Sequence, residues 1–485
     1  VNYDKAVALG TADAVLYNNR GKAKFTLKDY KGALTDFDKA LELRPGYEKA
    51  IENRAETRYL LQDWKGAVAD FEKILASGRT DVELLQKIGT AKFTLQDTKG
   101  AAEALERVAQ KGVKDKDVFR MLGLSYTAEN NCTEAIKSLS AAVSLGLADK
   151  DVFYKLGSCH YHNKDYAATA ESLSRAINAG VSEGNVFLLR GNAYFNLKDY
   201  DKAATDLDKA FSLGVSNSEA SKNAGDIRFM KNDYPGAIKH YDNAVKLGMN
   251  DAILFNNRGR AKLNQNDAVG AITDFDKAIQ LNTAYGKAYL NRGTASFTMK
   301  NYVAVVNDLD RAKTTEGETP ELVKMLGISY YLTGQKDVAS TYLDKALQSG
   351  VKDSKVALYA GYLRYDVKDY KRATEALTAA EMAREKEDDL YLKRGLSFYQ
   401  QREYATAVID LDKVILKGKA DLGVYEAIGL SYLALQKEKE ALPHLEKAAS
   451  MGSKNKDLYY QLGNARFKLN NYTGAVESYD RAITL

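Results

Sequence analysis

The stretch YDKAVALGTADAVLYNNRG, residues 3–21, returns as YDNAVKLGMNDAILFNNRG at residues 241–259. In the wider windows 1–22 and 239–260, 13 of 22 positions are identical. The cause is a shorter period inside this long one. From Gly21, steps of 34 land on Ala55, Gly89, Gly123, Gly157, Gly191, Gly225, Gly259, Gly293, Gly327, Gly361, Gly395, Gly429 and Gly463. Thirteen of these 14 positions are glycine, with no insertion or deletion between them. Seven steps of 34 make 238, so a seven-repeat block has been duplicated on top of the basic repeat.

Other columns keep the same register. Twelve residues after each of these positions stands a small residue, from Ala33 and Ala67 to Ala475, with Thr169 and Val305 as departures. Four further on comes a bulky apolar residue such as Phe37, Phe71, Leu105 or Tyr479, and three beyond it another small one, such as Ala40 or Ala142. Spacings of three and four put side chains on one helical face. Small residues let two helix axes approach, and the large residue between them fills the gap.

Each repeat therefore reads as two helices. AVLYNNRGKAKFTL carries the first apolar face and KGALTDFDKALEL the second, with KDY turning between them. Gly78, Gly112, Gly146, Gly180, Gly214, Gly248, Gly350, Gly418 and Gly452 stand where the second helix ends. Glycine reaches the left-handed conformation of a helix C-cap cheaply there. Asp, Ser or Lys-Asp just beyond supplies the next start.

A 34-residue helix–turn–helix with this small-and-aromatic signature resembles the tetratricopeptide repeat (TPR) family, and the resemblance covers essentially the whole chain. One departure is that the family's proline after the second helix survives only at Pro45. The resemblance implies an all-α, right-handed superhelical α-solenoid. In domain terms, residues 1–13 read as the end of a preceding second helix. Residues 14–251 read as a first seven-repeat block and 252–485 as a second, continuous with it.

Composition narrows the function. With 485 residues and 45% hydrophobic content there is apolar material for a core throughout, and no run is long enough to span a membrane. A net charge of +5, from 70 basic and 65 acidic residues spread along the chain, describes a solvated surface, and no nucleic-acid partner is expected. Two cysteines, Cys132 and Cys159, make no disulfide framework, and Cys159 reads as a buried structural thiol. The beginning, VNYDKAVALG, has no basic segment followed by an apolar one, and the compartment is left open. Both ends fall inside second-helix columns, with Ile483 and Leu485 giving an apolar close. That pattern fits a window of a longer array, or arrays that join end to end into a filament.

The resemblance places partner binding on the concave face lined by first helices, where proteins or extended peptides are held. Two residues before the glycine column stand Asn19, Asn53, Asn223, Asn257 and Asn291. A primary amide offers both donor and acceptor, so it grips a peptide backbone whatever its sequence. Lys49, Lys222 and Lys287 complete the candidate set. Lys222, Asn257 and Lys287 approach the arrangement with which some members of the family clamp acidic C-terminal tails, but Asp226 and Asn291 stand where that pattern wants Asn and Arg. Four residues after the column runs an aromatic series: Phe25, Tyr59, Phe93, Tyr161, Phe195, Phe229, Phe297, Tyr331, Tyr365, Tyr399 and Phe467. It is either a ladder for sugars or apolar side chains or part of the core between repeats.

The remaining chemistry is sparse. No phosphate-binding GxxxxGK[ST], GxSxG or HExxH occurs, so no enzyme, cofactor or metal is expected. SCHYH, with Cys159, His160 and His162, lacks the paired spacing of zinc ligands. The acids of TDFDKA and TDLDKA flank lysine and read as exposed partners in local ion pairs. Two sequons, at Asn131 and Asn471, fall in the turn between helices.

Overall fold

Each turn inside a repeat is built by two adjacent residues. Lys28 takes a left-handed φ of 64°, and Asp29 then caps the next helix by accepting from the Gly32 amide at 3.0 Å. The Asp29 amide bonds back to the Lys24 carbonyl at 2.9 Å, closing the six-residue loop that ends a helix in a Schellman motif. The same left-handed residue recurs at Gln62, Gln96, Asn130, Lys164, Lys198 and onward to Asn470, and only Gly334 in this column is glycine. The helix after each turn starts on an Asp or Asn cap in most repeats, as at Asp63, Asp97, Asn131 and Asp165. At the other end of the repeat, the nine glycines expected to close the second helix all have positive φ.

The computed structural model describes residues 13–485 together with Tyr3, Lys5 and Gly10. Among these residues the regular elements are all α-helices, in pairs from Ala14–Thr26 with Tyr30–Leu43 to Lys456–Lys468 with Tyr472–Thr484. Tyr3 and Lys5 are helical and exposed, and the rest of the reading of residues 1–13 lies outside the described residues. The chain forms two compact bodies, Val1–Met249 and Asn250–Leu485. Each body is an α-solenoid. A first helix packs on its own second helix, the second packs on the next first helix, and successive first helices also touch one another. First helices thereby line one face of each body.

The core follows the columns. Ala33, Phe37 and Ala40 are fully buried, as are Ala135, Leu139 and Ala142 a few repeats on. The glycine column exists because the bulky residue sixteen positions later lies against it: a Cβ on Gly123 would fall 2.5 Å from Leu139 Cδ2.

Two expectations are corrected. The first acid of TDFDKA is not on an exposed face. Asp36, Asp70, Asp206, Asp274, Asp308 and Asp410 are all buried. Each accepts a two-pronged bond from the arginine sixteen residues earlier, as Arg190 does to Asp206 at 2.7 and 2.8 Å. The arginine precedes the glycine column, so the fork ties the two helices of one repeat. The second acid does stay outside, and it joins neighbouring repeats: Asp38 accepts from Arg54 at 2.9 Å and Asp276 from Arg292 at 2.5 Å. The second correction concerns Cys159, which is not a free thiol. It is disulfide-bonded to Cys132 of the preceding repeat, with Cα atoms 5.0 Å apart.

Candidate functional site

The face made by the first helices carries the residues singled out from the sequence. Asn53 donates from Nδ2 to Asn18 Oδ1 at 2.8 Å, and Asn291 donates to Asn256 Oδ1 at the same 2.8 Å. These are corresponding positions in the two seven-repeat blocks, so the duplication carried an amide pair with it. Asn53 and Asn291 are half-buried, and their own Oδ1 atoms accept no bond among the described residues. Asn223 is buried and donates to Asn192 Oδ1 at 3.0 Å. Asn257 is half-buried beside Asn256, whose Nδ2 lies 3.4 Å from its Oδ1, and Asn19 is exposed.

Sequence reasoning missed Asn18, Asn192 and Asn256, the acceptors of these bonds. For two of them the signal stood in the opening stretch, since the doubled asparagine of YNNRG and FNNRG supplies Asn18 and Asn256. What the sequence hides is that a spacing of 35 brings one asparagine against the next repeat's.

Of the lysines, Lys49 and Lys287 are exposed. Lys222 is held by Asp226 one helical turn away at 2.7 Å, and the Tyr241 hydroxyl donates to the other oxygen of Asp226 at 2.7 Å. Lys222 therefore meets its counter-charge within its own helix.

Beside Asn53 lies a polar cleft of about 240 Å³, lined by Glu52, Glu56, Arg79, Glu83 and Lys87 as well as Asn53 itself. Its charges are already matched: Arg79 pairs with Glu52 at 2.5 Å, and Lys87 with Glu56 at 2.6 Å and Glu83 at 2.8 Å. Burial pulls the Lys87 ammonium down, but its bonds to Glu56 and Glu83 outweigh that and hold it above its ordinary value.

The aromatic series has a specific neighbour. Nine of its eleven rings meet the ring five residues later across the turn. Among them are Phe25 with Tyr30 at 5.4 Å, Tyr59 with Trp64 at 5.2 Å and Phe467 with Tyr472 at 5.4 Å, mostly edge to face. The exceptions are Phe93, whose own repeat has Thr98 in that place, and Tyr331, stacked 4.1 Å from Tyr359 of the next repeat. Tyr161 also reaches two repeats on, donating to Glu219 at 2.9 Å. Burial first, then Glu219, pushes its phenol well up.

Metal chemistry has no such cluster among the described residues, where no three His, Cys, Asp or Glu converge. His162 Nδ1 is 2.8 Å from the Ser158 carbonyl, and His160 Nδ1 is 3.8 Å from Asp165. No helix among the described residues is long and apolar enough to cross a membrane.

A tetratricopeptide repeat model matches residues 14–47, and a second model of the same description matches 120–182, 188–252 and 426–485. No curated protein sequence matches the chain. Solved structures similar to it include YrrB, a TPR protein with an unusual peptide-binding site, 25% identical over 37% of this chain and 92% of that one, with a TM-score of 0.32. A tetratricopeptide repeat protein from Parabacteroides merdae is 19% identical over 51% of this chain and 98% of its own, with a TM-score of 0.31. The APC/C hetero-tetramer Cut9–Hcn1 is 14% identical over 96% and 98%, with a TM-score of 0.28.

Proposed function

Since the chain belongs to the tetratricopeptide repeat family, we propose that it is a non-catalytic scaffold that binds extended peptide segments or partner proteins on the face of its first helices. The observation that carries this reading is the pair of half-used amides. Asn53 and Asn291 each spend one N–H on the asparagine of the preceding repeat and keep an Oδ1 that has no partner among the described residues. The bond fixes the rotamer, so the remaining acceptor and the second N–H are held ready at little entropic cost. An amide so held bonds a peptide backbone and discriminates little between side chains. Lys49 and Lys287, exposed one turn earlier on the same helices, add a positive charge beside each amide. Asn19, Asn223 and Asn257 extend the series along the two bodies.

The test is enrichment from a displayed library of random peptides on the full chain, against the double variant Asn53→Ala, Asn291→Ala. Wild type is expected to enrich binders whose affinity falls at least tenfold in the variant, with the melting temperature nearly unchanged. Equal enrichment by both proteins would discard the asparagine reading.

A further inference from the structure

The chain has two cysteines in 485 residues, and they meet. Cys132 opens the second helix of repeat 4, Cys132–Ser144, and Cys159 lies in the first helix of repeat 5, Lys150–His162. We infer that this pair is oxidised to a structural cross-link between the two repeats wherever the chain works, and that its compartment is therefore an oxidising one.

Three observations support this. The Cα separation of 5.0 Å lies inside the range that a disulfide spans without moving backbone. Cys132 also occupies the column that holds an aromatic ring in nine other repeats, from Tyr30 to Tyr472, while Thr127 replaces the ring it would pack against. The turn of repeat 4 has thus lost its ring pair and carries a covalent bond in the same place. Finally, Cys159 is 1% exposed, so the finished bond is shielded on one side from reductants.

The chemistry balances with a disulfide oxidant. Cys132 is half-exposed and sits at a helix N-terminus, which favours the thiolate. It attacks an external disulfide, which loses one thiol and leaves a mixed disulfide on Cys132. Cys159 then attacks Cys132 Sγ, releasing the second thiol. Two protons and two electrons leave the protein, and the external disulfide is reduced to two thiols. Disulfides of this structural kind persist in oxidising compartments and are rare where thiol pools are kept reduced.

The experiment starts with the full chain from its native cells, quenched with N-ethylmaleimide at harvest and unfolded in guanidinium. The expected result is no label before reduction and two labels per chain after it. Two labels without reduction would overturn the inference. Hydrogen exchange supplies an independent arm: reductant is expected to lower protection in Cys132–Ser144 and Lys150–His162 of wild type, but to leave Cys132→Ser unchanged. Equal response of both proteins would show that no bond joins the repeats.

Discussion

Arg394 donates from Nε and Nη2 to the two carboxylate oxygens of Asp410 at 2.6 and 2.9 Å, with side chains only 6% and 2% exposed. The same fork joins Arg20 to Asp36, Arg54 to Asp70, Arg190 to Asp206, Arg258 to Asp274 and Arg292 to Asp308. In the remaining eight repeats both charges are missing together, as in Leu122 with Ser138, Leu156 with Ser172 and Leu462 with Ser478. No repeat keeps one member alone. The pattern is what burial demands, because an isolated buried charge costs several kcal/mol while its removal as a pair can be neutral.

Arg394→Leu alone is therefore expected to destabilise the protein by about 3 kcal/mol, by leaving buried Asp410 with only the more distant Lys413, 3.5 Å away, for a counter-charge. Adding Asp410→Ser converts repeat 12 to the pair found in repeats 4, 5 and 14 and is expected to recover most of the loss. Chemical unfolding, followed by hydrogen exchange in Tyr404–Leu416, measures both. A single variant as mild as the double would refute the argument.

Arg384 holds a left-handed φ of 67° in the column where Gly350 and Gly418 stand at 79° and 67°. A side chain in that conformation costs about 1–2 kcal/mol, partly offset by the greater freedom of glycine when unfolded. Arg384→Gly is expected to raise the melting temperature of the second body, and Gly418→Arg to lower it. Differential scanning calorimetry of both variants decides the sign.

Three histidines give the chain a mild acid sensitivity. Burial holds His160, His240 and His444 below the ordinary value of 6.5, helped at His240 by Arg228 and opposed by Asp208 and Asp233. At His444 only Asp412 opposes it. The unfolded chain then binds these protons more readily than the folded one. Stability is complete above pH 6.5 and falls as pH drops through the lowered folded values. His240→Tyr with His444→Tyr is expected to flatten the melting temperature between neutral and mildly acid pH. Tyrosine is tolerated there, since Tyr342 fills the same column in repeat 10.

A second loss follows at lower pH. Burial pushes Asp366 and Glu381 up, but the bonds from Lys393 and Lys336 to the first, and from Arg394 and Lys413 to the second, outweigh it and hold both below their ordinary values of 3.8 and 4.5. Their contribution is present above those values and disappears as pH falls through the lowered folded ones. Asp366→Asn is expected to shrink the change below pH 4 without touching the histidine step. Melting curves of wild type and variant across both windows separate the two steps.

How much of this was readable in one dimension depends on the kind of interaction. The paired helices, the glycine column and the left-handed closing glycines were legible because each rests on a short spacing or on one residue's backbone preference. The turn inside the repeat was half legible. Asp29 announces a cap, but nothing about Lys28 announces a left-handed residue, because the surrounding hydrogen bonds impose it. The candidate site was legible as a column of asparagines, whereas their partners were not. Asn53 was visible at its position; that it leans on Asn18 depends on how far two neighbouring first helices are offset.

The sequence by itself determined the period, the helix pairs, the small-against-large core and the duplication of seven repeats, since all of these are encoded in fixed distances along the chain. Tertiary structure alone decided that Asp36 is buried while Asp38 is not, that Asn291 reaches Asn256, and that Cys132 meets Cys159. Those outcomes depend on the angle and offset at which one helix crosses the next. A rotation of a helix by a fraction of a turn would exchange the buried acid for the exposed one and leave every spacing in the sequence unchanged.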